Sequence, residues 1–87
     1  IVVTIKRQDK ASGKYIGGAT IGYYEENDRW NTSKRITVGE SGRQVVLKLG
    51  KTYVFYEKTT PDGYDKAEKV IITVTKDMPR EIILSDN

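Results

Sequence analysis

The chain has 87 residues, enough for one domain and not two, and a domain this small buries only about 60–65% of its unfolded surface, so its core gains from any extra tie. It has no cysteine and no histidine, which excludes disulfides and thiolate metal sites and removes the commonest metal ligand and general base. The net charge is +3, yet the only adjacent basic pairs are Lys6-Arg7 and Lys34-Arg35, which is not the basic stripe that nucleic-acid binding requires.

Taken in chain order, the signals are β nearly throughout. Residues 1–8 are rich in β-branched side chains, and Gly17-Gly18 marks a bend before the alternating run Ala19 to Glu25. The polar stretch Glu26 to Lys34 reads as a loop or hairpin tip with room for a short helix, and Arg35 to Val38 is a short strand before the turn Gly39 to Gly42. Gln44 to Leu49 and Lys51 to Lys58 are strands parted by Gly50; Lys69 to Thr75 and Arg80 to Asp86 are strands parted by a turn at Lys76 to Pro79. About seven short strands at this spacing predict an all-β fold, a single antiparallel sandwich of Greek-key, immunoglobulin-like type. No apolar run approaches the ~18 residues of a membrane span, and no signal peptide is evident. The opening Ile1, in place of methionine, is expected of a piece of a larger protein, with residues 1–87 forming one domain of it.

The segment Tyr53 to Tyr64, Y-V-F-Y-E-K-T-T-P-D-G-Y, is the most informative. Alternation puts Tyr53, Phe55 and Glu57 on one face. If Phe55 points into the core, so does Glu57, and a buried carboxylate needs a partner because an unpaired buried charge is too costly to keep.

Two separated motifs resemble one family. D-K-A-S-G-K-Y-I-G-G-A-T-I, Asp9 to Ile21, is similar to the opening of collagen-adhesin B-type (CnaB-like) repeat domains, and L-K-L-G-K-T-Y-V-F-Y-E-K-T-T-P-D-G-Y, Leu47 to Tyr64, resembles their most distinctive segment. The resemblance implies a prealbumin-like sandwich used as a stalk or spacer in surface adhesins and pilins of Gram-positive bacteria. It would be extracellular, attached to the cell wall through its parent protein, with neighbouring domains of that protein as its partners. Many such domains carry an internal isopeptide bond between a first-strand lysine and a last-strand Asp or Asn, assisted by a buried glutamate. The resemblance maps the assisting acid to Glu57 and the acceptor to Asp86, which shares a strand face with Ile82 and Leu84; a one-residue shift offers Asn87 instead.

The lysine is where this chain departs. The family pattern places Arg7, not Lys6, at the reactive position, and alternation agrees, because Val3, Ile5 and Arg7 make a more apolar face than Val2, Thr4 and Lys6. Amide formation needs a neutral amine, and burial lowers a lysine pKa enough to supply one. Arginine cannot replace it, since the guanidinium does not deprotonate in proteins. The leading expectation is therefore an ionic cluster of Arg7, Glu57 and Asp86 joining the first, fifth and last strands. The alternative is a Lys6–Asp86 (or Asn87) amide, reached only through a bulge that turns Lys6 inward.

Trp30, in a polar loop beside Asp28, Arg29 and Asn31, would suit sugar stacking, but the stronger expectation is a tryptophan folded back over the sheet edge. Tyr23 and Tyr24 fall on opposite strand faces, so one of them meets solvent or a neighbour. Glu25, Glu26 and Asp28 match no calcium-loop spacing, so no metal and no cofactor is expected. The chain lacks a nucleophile elbow and a glycine-rich phosphate loop, which leaves an enzyme poorly supported. A structural module is favoured, ahead of a binding module whose 26–34 loop contacts a host protein or glycan.

Overall fold

Strand alternation builds the core directly. In the computed structural model, which describes residues 1–86, β1 (Val2–Gln8) buries Val3, Ile5 and Arg7 and leaves Val2 exposed and Thr4 and Lys6 half-buried. β2 (Ala19–Glu25) buries Ala19, Ile21 and Tyr23, and β5 (Thr52–Thr59) buries Tyr53, Phe55 and Glu57 on its inner face. Between and after them lie α1 (Arg29–Thr32), β3 (Lys34–Val38), β4 (Arg43–Val46), β6 (Val70–Thr73) and β7 (Glu81–Ser85).

The strands form two sheets, β4-β1-β7 and β3-β2-β5-β6, whose inner faces enclose Phe55, Ile5, Ile21, Ile82 and Leu84. Every strand pair is antiparallel except β1–β7, which runs parallel from Thr4↔Glu81 to Gln8↔Ser85. Parallel neighbours need a crossover connection, and here the rest of the domain supplies it. The start of β1 and the end of β7 therefore lie at opposite poles of the sandwich.

Register then sorts side chains between the poles. Ile21 pairs with Glu57 near the end of β1, whereas Glu25 pairs with Tyr53 beside α1 at the other pole. A bulge falls between Thr20 and Ile21, because Thr20 pairs with Thr59, leaving Lys58 as the extra residue next to Glu57. The turn between β3 and β4 depends on Gly42, whose φ is +84° and whose added Cβ would stand 2.8 Å from the Ile5 carbonyl oxygen. On the outer face the Tyr56 ring lies over Gly22, where a Cβ would come within 2.4 Å of it.

Two expectations are corrected. The strand expected over Gln44 to Leu49 ends at Val46: Leu47 still exchanges backbone hydrogen bonds with Ile1, at 2.8 and 2.6 Å, but the chain then turns, with the Lys51 N–H donating to the Lys48 carbonyl at 3.3 Å. Trp30 does not fold back over a sheet edge and is 95% exposed. The inward positions of α1 belong to its neighbours: the Arg29 guanidinium sits 4.8 Å from the Tyr24 ring centre, and Thr32 Oγ1 donates to the Asp28 carbonyl and accepts the Glu25 N–H. The helix has only four residues, so with those faces taken Trp30 points away from the sheet.

Candidate functional site

Among the described residues Arg7 and Glu57 are the two charged side chains buried in the core, 0% and 1% exposed respectively. They come from opposite sheets, brought together by the inward alternation of β1 and β5 at one pole. The Arg7 Nε donates to Glu57 Oε2 at 2.7 Å, and one terminal nitrogen reaches Oε1 at 3.4 Å. The same nitrogen donates to the Asp65 carbonyl, while the other donates to the Gln8 carbonyl at 2.7 Å and to Asp86 Oδ1 at 3.4 Å. A guanidinium has five N–H donors, and here each has an acceptor. Glu57 is matched in turn, with Oε1 also accepting the Thr60 hydroxyl and the Ala67 N–H, both at 2.8 Å.

This accounting explains how a charge pair persists inside a small core. Desolvation is offset only when geometry is good and the remaining donors and lone pairs are satisfied. Among the described residues no buried polar side-chain atom lacks a partner.

Asp86 is tied less tightly. Its carboxylate lies at 3.4 Å from Arg7 but accepts the Lys10 N–H at 3.0 Å. The Lys10 N–H holds the Asp86 pKa below the usual 3.8, partial burial opposes that, and the Arg7 charge adds a smaller lowering. Lys6 does not join this group. It lies on the outer face of β1, with its Nζ 2.6 Å from Glu81 and 4.6 Å from the Tyr15 ring centre. The hydrogen bond to Glu81 raises its pKa above 10.5, so it stays a charged ammonium at neutral pH. β1 pairs with β7 without interruption from Thr4 to Gln8, so no bulge turns Lys6 inward. Asn87 lies outside the described residues.

The residues that sequence reasoning missed are the supporting ones: the carbonyls of Gln8 and Asp65 and the N–H groups of Lys10 and Ala67. Backbone groups carry no residue-type signal. Only Thr60, three residues after Glu57 and just before Pro61, had a side chain that could have been suspected.

Two sheets, seven strands and a first strand lying beside the last define a prealbumin-like β-sandwich. The chain belongs to the family of SpaA prealbumin-like fold domains, whose model matches residues 2–87. Among solved structures it is similar to the C-terminal fragment of the pilus adhesin SpaC from Lactobacillus rhamnosus GG, at 20% identity and a TM-score of 0.68, over 99% of this chain and 43% of that one. It is also similar to the C-terminal domain of the shaft pilin SpaA from the same organism, at 15% identity and a TM-score of 0.62, over 99% of this chain and 97% of that domain. The chain thus spans less than half of the SpaC fragment and nearly all of the isolated SpaA domain. No curated protein sequence matches it.

Proposed function

We propose that this domain is a non-catalytic structural spacer of a Gram-positive surface adhesin or pilus protein, held at one pole by Arg7, Glu57 and Asp86. The parallel β1–β7 pair is the observation that carries this reading. Tension applied at the start of β1 and the end of β7 pulls the two strands past each other, so their hydrogen bonds resist together and do not open one at a time. Arg7 stands opposite Leu84 in that ladder and extends the tie across the sandwich to β5. A fully paired guanidinium would then do by charge what the family's amide does covalently. The spacer is extracellular, carried on the cell surface by its parent protein, and its partners are neighbouring domains of that protein, in keeping with the pilin and adhesin structures that share its fold.

Single-molecule pulling tests the reading. The chain has no cysteine, so introduced cysteines define the handles uniquely. Handles at residues 1 and 86 load β1–β7 in shear, whereas handles at Ile1 and Leu47 peel β1 from β4. The terminal direction is expected to need a severalfold higher force; equal forces would end the spacer reading. Intact mass tests the covalent alternative, in which Lys6 and Asp86 would condense with loss of one water. The expected mass is that of the uncondensed sequence.

A binding role for α1 is a second reading, favoured by the 95% exposure of Trp30. A Trp30→Ala variant that attaches to host protein or glycan as well as the parent does would remove it.

A further inference from the structure

The pole opposite Arg7 carries an open cleft of about 260 Å³ between the sheets, with α1 as one wall. Its floor is the pair of phenol rings Tyr23 and Tyr53, with centres 6.4 Å apart and planes inclined at 55°. The Tyr23 hydroxyl makes no hydrogen bond to another described residue. Since no buried side-chain polar atom among the described residues is unpartnered, that oxygen is reached by solvent, and Tyr23 lines the cleft. Burial raises the Tyr23 pKa, and Tyr53 adds to the effect, so the group is a neutral phenol able to donate and accept. The Tyr53 hydroxyl accepts the Lys48 N–H at 3.0 Å, which leaves its own proton free to donate.

The walls supply complementary groups. The Glu25 side chain is only 14% exposed, yet its nearest cation is Lys48 at 3.7 Å, beyond hydrogen-bond range. Among the described residues the Glu25 carboxylate has no hydrogen-bonded partner, so its oxygens are available to accept from water or from a ligand in the cleft. Lys34 lines the same cleft and has no acidic partner among the described residues. Asn31 donates its amide to Asp28 at 2.9 Å, leaving its carbonyl oxygen as an acceptor. The wall is fixed to the floor, because Thr32 Oγ1 accepts the Glu25 N–H at 2.9 Å.

These features narrow the ligand. The volume lies just under the ~300 Å³ at which drug-sized pockets begin, so the occupant is about one ring in size. The lining alternates donors and acceptors over two aromatic rings, which suits a ring bearing several hydroxyls. A single carboxylate is too few for a metal ion, and it repels a polyanion.

We propose that this cleft binds one sugar unit of a glycan, with Glu25 accepting from its hydroxyls, Tyr23 and Tyr53 donating to it, and Lys34 and Asn31 at the rim. The site is separate from Trp30, which lies on another side of α1 with Arg29 and Ser33, and it does not depend on the spacer reading.

The test is an NMR titration of the isotope-labelled 87-residue chain with the methyl glycosides of glucose, galactose, N-acetylglucosamine and glucuronic acid at millimolar concentrations. At least one glycoside is expected to give saturable amide shifts confined to residues 23–25, 31–34 and 46–53. Tyr23→Phe and Glu25→Gln, each checked for a native spectrum, are expected to weaken that binding at least tenfold, and Trp30→Ala to leave it unchanged. No saturable shift with any of the four glycosides overturns the proposal. So do shifts that survive both substitutions, and shifts centred on Trp30.

Discussion

The two poles of this sandwich treat polar side chains in opposite ways. At the Arg7 pole a guanidinium and a carboxylate are sealed from water, and every donor has an acceptor. At the α1 pole the Tyr23 hydroxyl and the Glu25 carboxylate lie in a cleft that solvent reaches, without hydrogen-bonded protein partners among the described residues. The difference follows from solvation. A buried charge left unmatched costs several kcal/mol, roughly 3–5 when one member of a buried pair is removed, whereas an unmatched group at a wet cleft is satisfied by water and stays free for a ligand. A sealed cluster thus cannot lose one member cheaply, whereas an open one leaves its groups free to meet a ligand.

The largest effect expected from breaking this contrast is at Arg7. Arg7→Ala leaves Glu57 buried without its cation and should lower the unfolding free energy by about 3–5 kcal/mol, measured by denaturant titration. A loss far below that range would mean that the cluster admits water. The double variant Arg7→Met with Glu57→Leu sharpens the point, because it removes both charges and keeps volume. It should recover most of the loss, and apolar replacement of a buried pair can add about 1–4 kcal/mol. A double variant as unstable as Arg7→Ala would assign the effect to packing.

Next in size is Gly22→Ala, on the outer face between the poles. The new methyl meets the Tyr56 ring, so the ring must move and stability should fall by about 1–3 kcal/mol. Acid exposes a smaller effect at the rim of the sealed pole. Asp86 has a depressed pKa in the folded state, so its contribution is fully present above the usual 3.8 and is lost as pH falls through the lower folded value. The stability gap between the parent and Asp86→Asn should therefore be constant near neutrality and close in strong acid; a gap that widens there would contradict the assignment. The smallest effects belong to the open pole: Tyr23→Phe and Trp30→Ala should each stay within about 0.5 kcal/mol of the parent.

Much of the sealed pole was legible in the sequence, and little of the open one. Val3-x-Ile5-x-Arg7 and Tyr53-x-Phe55-x-Glu57 each announce an inward charge through period-two alternation. Trp30 was misread because burial of a lone aromatic was assumed, when Arg29 and Thr32 had already taken the inward faces of α1. The cleft gave no signal, since Tyr23 and Glu25 look like ordinary strand residues until α1 closes one side of them.

By itself the amino-acid order determined which side chains face inward, because alternation is a property of each strand alone and hydrophobic burial selects the face. Tertiary structure decided which of them meet. Arg7 and Glu57 lie 50 residues apart, and only sheet register and the stacking of two sheets set their 2.7 Å contact. The parallel course of β1 beside β7 was decided at the same level, because strand direction depends on the path of the intervening chain and leaves no trace in either strand's own sequence.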